Sequence, residues 1–231
     1  MYVRNATIAD LDAIMAVEET SFGEGVAEEA MATREQMHAR IAMFERSGFP
    51  EGFLVAEEDG CIFGYIVMFP TVLTPDECVS WDKATNYGNL TGVFDVTAQN
   101  TFIVSLAAVS RAPESTSLLL VHKAFVSRLQ RLRAYGYQKD YCMFCARMPG
   151  YAQAHKKTGI TPEEYWCLED GDGNPQDPLL RIFYHMTTEK PRRLLRDGYL
   201  PDISSGGHGV LFALEDPVAN INALAQLMCN K

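Results

Sequence analysis

The stretch NTFIVSLAAVSRAPESTSLLLVHKAFVSRLQRLRAYG, Asn100 to Gly136, contains a strand, a sharp loop and a helix in succession. In the first part, Phe102, Val104, Leu106 and Ala108 fall on one face, and Ile103, Ala107 and Val109 on the other. Both faces are apolar, which predicts a central strand covered on two sides. Ser110 to Thr116 breaks that pattern. From Ser117 the period becomes helical, with Leu118, His122, Phe125, Leu129 and Leu132 forming one stripe. Lys123, Arg128, Arg131 and Arg133 crowd the later turns, where cations suit the negative end of the helix dipole. Gly136 ends the helix. A buried strand that feeds a helix start is a place to hold phosphate, because the first N–H groups lack internal partners and carry a partial positive charge. Ser115, Thr116 and Ser117 add hydroxyl donors there. The same pattern also fits an ordinary strand–helix unit of an α/β domain.

The rest of the chain sets bounds on that reading. Its 231 residues are 47% apolar and 22% charged, enough for a sizeable core in one large domain. No run approaches the roughly 20 apolar residues of a membrane span, and the first residues have no signal-peptide profile. A cytoplasmic protein without a membrane partner is expected. The net charge of −10 argues against nucleic acid, whose backbone needs a basic surface. It suits an amine-bearing substrate, although solubility is the plainer account. Cysteines at 61, 78, 142, 145, 167 and 229 show no disulfide framework. Cys142 and Cys145 look like half a zinc knuckle, but three residues apart on a strand they face opposite sides. Free thiols are therefore expected, and the five histidines show no metal-ligand spacing.

Taken in order, Tyr2–Arg4 is a short strand. Thr7 with Asp10, and Thr33 with Gln36, are capping boxes before two amphipathic helices. Phe53–Glu57 and Cys61–Phe69 form a hairpin through Asp59-Gly60, with Pro70 as its expected end. Residues 71–99 are long and irregular, and the aromatics Trp81, Tyr87 and Phe94 favour order. Trp81 and Tyr87 either wall a site or pin the loop. After the central unit come a strand at Lys139–Arg147 and helices at Tyr151–Lys157, from Thr161 and over Leu179–Met186. Two final strands follow at Arg192–Leu200 and Gly209–Leu214, and a helix from Asp216. The order β-α-α-β-β-β-α-β-α-β-β predicts a mixed, mostly antiparallel α/β sheet in a single domain spanning 1–231. Within it, 71–99 is a long insertion and 148–231 a C-terminal half with extra helices and a hairpin.

Several residue groups, in this order and spacing, resemble the GNAT superfamily of acyl-CoA N-acyltransferases. The subgroup most similar is the acetyltransferase domain fused to a carbon-nitrogen hydrolase in many bacteria. The groups are Ser80-Trp81-Asp82 with Thr85 and Gly88, Arg147-Met-Pro-Gly-Tyr151 and Thr161-Pro-Glu-Glu-Tyr165, followed by Asp177-Pro178 and Tyr199-Leu-Pro-Asp202 with Ser205.

The resemblance implies that the fourth strand splays from the fifth and admits the thioester of acetyl-CoA. Backbone at Leu106, Ala107, Ala108 and Val109 would hold the pantetheine and the oxyanion. Arg111 and the start of the helix at Ser115, Thr116 and Ser117 would hold the pyrophosphate. Tyr184 would protonate the leaving thiolate, with Phe183 taking its place if the register shifts by one. The acceptor would be a small-molecule or peptide amine, attacking directly in a ternary complex, and a homodimer is compatible. The phosphate loop departs from the family pattern. It has no glycine, Pro113 removes a donor, and Glu114 would face the phosphates. A non-catalytic binding module, or a longer acyl-CoA or acyl-carrier protein as donor, therefore stands as an alternative. Strand four holds no acidic residue, so no general base can be named. Glu57 and Glu58 are read as a solvated strand end, and Arg192, Arg193 and Arg196 as a solvated face.

Overall fold

The computed structural model describes residues 1–22, 31–113, 115–137, 141–185, 192–199 and 202–215. Glu114, Cys229 and the expected helix from Asp216 lie outside them. Among the described residues seven strands form one sheet, in the order β1-β2-β3-β4-β5-β7-β6. They are β1 (Tyr2–Asn5), β2 (Phe53–Glu58), β3 (Cys61–Thr71), β4 (Asn100–Ala108), β5 (Tyr141–Arg147), β6 (Arg192–Arg196) and β7 (Gly209–Glu215). Every pairing is antiparallel except β4 with β5. The mixed, mostly antiparallel sheet is as expected.

Local chemistry explains most of the elements. Asp59 and Gly60 both take positive φ, at 51° and 77°, as a two-residue hairpin turn requires. Both capping boxes form, at Thr7/Asp10 before α1 (Leu11–Phe22) and at Thr33/Gln36 before α2 (Arg34–Arg46). Pro70 does not end β3. It pairs with Thr101, and β2 has already stopped at Phe53↔Val67, so its missing N–H costs β2 no bond. The 71–99 insertion is ordered around α3 (Trp81–Thr85), and its Phe94 packs at 5.7 Å on Phe44 and 6.4 Å on Phe69.

Helix α4 (Thr116–Ala134) buries Thr116, Leu120, Val121, Ala124, Phe125, Arg128 and Leu132. This corrects the sequence stripe, since Leu118, His122 and Leu129 are only half-buried. Leu118 to Val121 are all apolar, so periodicity alone does not select the face. Arg128 is the larger departure. It is 2% exposed, not a surface cation. Its guanidinium donates to Thr101 Oγ1 at 2.9 Å, Ala98 O at 2.5 Å and Gln99 O at 2.9 Å, tying α4 to the start of β4.

Among the described residues three helices follow β5: α5 (Tyr151–Thr158), α6 (Pro162–Tyr165) and α7 (Pro178–His185). Phe183 fixes α7 on the sheet, 5.1 Å from Phe144 and 6.3 Å from Phe212. Arg196 is no solvated residue: it donates to Cys78 O at 2.9 Å and Pro75 O at 2.8 Å.

Candidate active site

The site starts from one irregularity in β4. The register with β3 runs Val67↔Ser105 and then Met68↔Ile103, leaving Val104 as an extra, bulged residue. A bulge bends its strand and resets which side chains share a face. Phe102, Ser105 and Ala107 now point toward α1 and α2. Ile103, Leu106 and Ala108 point toward α4. The sequence had placed Phe102 with Leu106 and Ala108; the bulge is what separates them.

The same residue marks where β4 leaves β5. The parallel pairing comprises Thr101↔Cys142, Phe102↔Met143 and Ile103↔Phe144, and goes no further. Beyond it, Val104–Ala108 and Cys145–Arg147 have no ladder between them. The two strands open a wedge, and Ile103 to Leu106 are only half-buried there. β5 stays in register with β7 along its whole length, so it is β4 that parts from its neighbour.

Helix α4 begins beyond the end of β4. Ser115 is exposed, and its side chain makes no capping bond. The helix start is therefore not closed by its own cap. Arg111 is exposed, with its guanidinium 5.8 Å from the Phe63 ring centroid. Val109 N is committed to Phe63 O at 2.9 Å, and Ala112 N to Val109 O at 2.8 Å. Thr116 turns inward. It is fully buried, its Oγ1 lies 3.4 Å from Met1 Sδ, and its methyl packs where Gly64 has no side chain. Its N–H is committed as well, to Pro113 O at 2.9 Å, and the exposed hydroxyl at the helix start is that of Ser115.

The C-terminal end of α1 bridges the wedge. Ser21 Oγ donates to Ala108 O at 3.1 Å on one arm, and Phe22 meets Arg147 at 5.7 Å on the other. Residues of the sequence motifs build the β5 arm. Arg147 lies 3.5 Å from buried Asp202, which also accepts from Ser205, and Ser205 Oγ accepts from Met148 N at 2.8 Å. Tyr165 donates to Asp177 at 2.9 Å, and Asp177 also accepts from Gly150 N. Burial of the phenol, and then Asp177, push the Tyr165 hydroxyl well up. His208, just before the Gly209↔Arg147 pair, bonds Asp197 at 2.9 Å and packs edge-on against Tyr151.

Tyr184 is half-buried beside the anchored Phe183. Trp81 pins its loop: a Cβ at Gly88 would come within 2.6 Å of both its ring and Arg40 Nη2. Tyr87 is 64% exposed. Glu57 and Glu58 are taken by Arg4 and the N-terminal amine. Cys142 and Cys145 lie in β5 and form no disulfide, and no metal-binding cluster occurs among the described residues.

Four residues that sequence reasoning passed over form a buried polar group on the α1 side of the wedge. Tyr65 of β3 donates a short bond to Glu18 of α1. The other oxygen of Glu18 accepts from Ala32 N at 2.8 Å. Arg40 of α2 is fully buried and gives its Nε–H to Gly88 O at 2.7 Å. Its two Nη atoms have no hydrogen-bond partner among the described residues. Ser105 of β4 lies on the same face as Tyr65, diagonally across the two strands. Burial raises Glu18, against the lowering effects of Tyr65, Ala32 N–H and Arg40. Burial also lifts Tyr65 far above an ordinary phenol. A signal did exist: Glu18 continues the buried Leu11-Ile14 stripe, and Arg40 sits between Met37 and Phe44 on theirs.

A bulged β4, a wedge against a parallel β5 and a long helix starting behind it define a GNAT-like fold. The solved structures agree. The chain superposes on the GphF GNAT-like decarboxylase in complex with isobutyryl-CoA with a TM-score of 0.70 at 21% identity, covering 92% of this chain and 98% of that one. It superposes on the loading GNATL domain of CurA from Lyngbya majuscula at 0.68 and 20%, covering 92% and 96%. Malonyl-CoA decarboxylase from Agrobacterium vitis gives 0.59 and 14%, over 97% of this chain and 63% of that one. No family model and no curated protein sequence matches the chain. No described helix is long and apolar enough to cross a membrane.

Proposed function

We propose that this chain is an acyl-CoA-dependent N-acyltransferase, moving an acetyl or other short acyl group to a primary amine in a ternary complex. The observation that carries the reading is the end of β4–β5 pairing at Ile103↔Phe144, in front of an uncapped helix start. A thioester laid in that wedge places its diphosphate near Arg111 and the helix start at 115–117, with Ser115 the exposed hydroxyl there. Backbone at Leu106–Val109 lies beside the pantetheine arm. The amine attacks the carbonyl carbon, and a backbone N–H of β4 receives the oxyanion. Tyr184 supplies a proton to the departing sulfur. Positioning and a preformed donor supply most of such a rate enhancement. The similar GphF structure, described with isobutyryl-CoA, supports a CoA thioester as ligand.

A second reading is decarboxylation of an acyl-CoA, because two of the similar structures are described as decarboxylases. Arg147, with the His208–Asp197 pair nearby, would put a cation and a proton donor on the β5 arm. The glycine-free loop keeps two further readings in view, an acyl-carrier protein as donor and a non-catalytic binding module.

One experiment separates them. The protein is incubated with acetyl-, isobutyryl- and malonyl-CoA, with and without a panel of primary amines. Free CoA, acylated amine and carbon dioxide are then measured. Amine-dependent CoA release supports the transferase. Carbon dioxide from malonyl-CoA without amine replaces it with the decarboxylase. A donor at 100 times its Kd stabilises the fold by about 2.7 kcal/mol. No thermal shift with any of the three donors rejects a CoA thioester as ligand.

A further inference from the structure

We propose that Ser105, Tyr65 and Glu18 form a proton relay that carries the amine proton from the wedge to a buried carboxylate. The inference rests on the transferase reading and fills its open position, the base.

The geometry follows from the bulge. Val67↔Ser105 and Tyr65↔Ala107 set Ser105 and Tyr65 on the same face as diagonal cross-strand neighbours. Were Val104 paired in regular alternation instead of bulged, the side chain at 105 would share the face of Ile103, toward α4. Ser105 is half-buried in the opened part of β4. Tyr65 and Glu18, at 0% and 3% exposure, lie behind it. Carboxylate and phenol are thus bonded in the interior, and the Ser105 hydroxyl lies diagonally across the strands from the phenol, on the wedge side.

A purely structural carboxylate would be met by the buried cation beside it. Arg40 instead spends its Nε–H on Gly88 O, and its Nη atoms make no bond to Glu18. The carboxylate oxygens go to Ala32 N–H and to Tyr65. The groups that face Glu18 are Tyr65 from β3, Arg40 from α2 and the Ala32 amide, with the Ser105 hydroxyl of β4 one step beyond. Burial raises the carboxyl, bringing it nearer to the pH at which a general base works best.

In the step itself, the amine nitrogen forms a bond to the thioester carbon and its proton passes to Ser105 Oγ. The Ser105 proton moves to Tyr65 Oη, and the Tyr65 proton to Glu18 Oε2. The C–S bond breaks, its electron pair stays on sulfur, and the thiolate takes a proton from Tyr184 or solvent. The relay then runs backward to release its proton to water. Ser105 is the catalytic residue; Tyr65 and Glu18 act through it.

The test is the pH profile of kcat/KM for wild type, Ser105→Ala, Glu18→Gln and Tyr65→Phe. Acetyl-CoA is the donor, and the acceptor is whichever of spermidine, benzylamine or glycylglycine reacts fastest. Thermal shift with acetyl-CoA checks that each variant folds and binds. Removing the relay is expected to lower kcat/KM about 100-fold near pH 7, the usual reach of general base catalysis. The deficit narrows toward about pH 9.5, where hydroxide replaces the base. A merely structural role gives the same loss at every pH, and that result overturns the relay. Should Tyr65→Phe fail to fold, Ser105→Ala decides, since that side chain is no part of the core. If wild type releases no CoA with any amine, the transferase reading fails and takes the relay with it. An active wild type with unaltered variant profiles rejects the relay alone.

Discussion

At the scale of single residues, Ser115 tests the helix start most cleanly, because stability and binding respond with opposite signs. It is exposed and caps nothing. Ser115→Asp adds a negative charge at the positive end of α4, which stabilises a helix by about 0.3–1 kcal/mol. The same charge repels a diphosphate. Thermal unfolding without ligand is expected to rise slightly, while acyl-CoA affinity falls at least about tenfold, or roughly 1.4 kcal/mol. A variant that binds as well as wild type would place the diphosphate elsewhere. Glu18 makes a second residue-scale prediction. Its folded pKa is raised above the ordinary carboxyl value, so the fold binds the proton more tightly than the unfolded chain does. Stability is fully present below the unfolded pKa and is lost as pH rises through the folded one. Glu18→Gln removes that loss. The stability of the variant relative to wild type is expected to increase as pH rises from about 4 through the raised pKa of Glu18, as read by urea unfolding.

At the scale of elements, β4 does two things that its composition alone conceals. Its first residues join β5 and are tied to α4 by Arg128; its later residues leave β5 and face the wedge. The bulge at Val104 lies between these parts. Deleting Val104 would bring Met68↔Ile103 and Val67↔Ser105 into regular succession, so Ser105 keeps its face while the bend and extra twist of the bulge are lost. The expected outcome is loss of the acyl-CoA thermal shift and a lower Tm than wild type. Retained ligand response in that deletion would mean the bulge does not shape the site. The apolar run NTFIVSLAAV makes the strand legible in sequence, but no residue in it announces the bulge. Arg128 was legible only as a cation in a late helical turn. Its burial depends on where the carbonyls of 98–100 lie, which is a property of another element.

At the scale of the whole molecule, the sheet consists of two parts, β1–β4 and β5-β7-β6, joined by a short ladder of three residue pairs. A ligand in the wedge touches both. Hydrogen exchange is therefore expected to slow at Leu106–Val109 and around Ser115–Ser117 when acyl-CoA binds, and to stay unchanged in β1 and β2. Protection spread evenly over the sheet would instead report global stabilisation by a ligand bound outside the wedge.

The sequence by itself determined the order of elements, the Asp59-Gly60 hairpin, the capping boxes and the strand–loop–helix of 100–136. These are local: each rests on φ/ψ preference, side-chain period or a cap within four residues. Its motif residues proved to be joints, as Arg147–Asp202 and Tyr165–Asp177 show. Only the tertiary structure decided where β4 parts from β5, which face of α4 is buried, and that Glu18, Tyr65 and Ser105 meet. Glu18 and Tyr65 are 47 residues apart in the chain. Their contact follows from helix-on-sheet packing and strand register, to which no local preference corresponds.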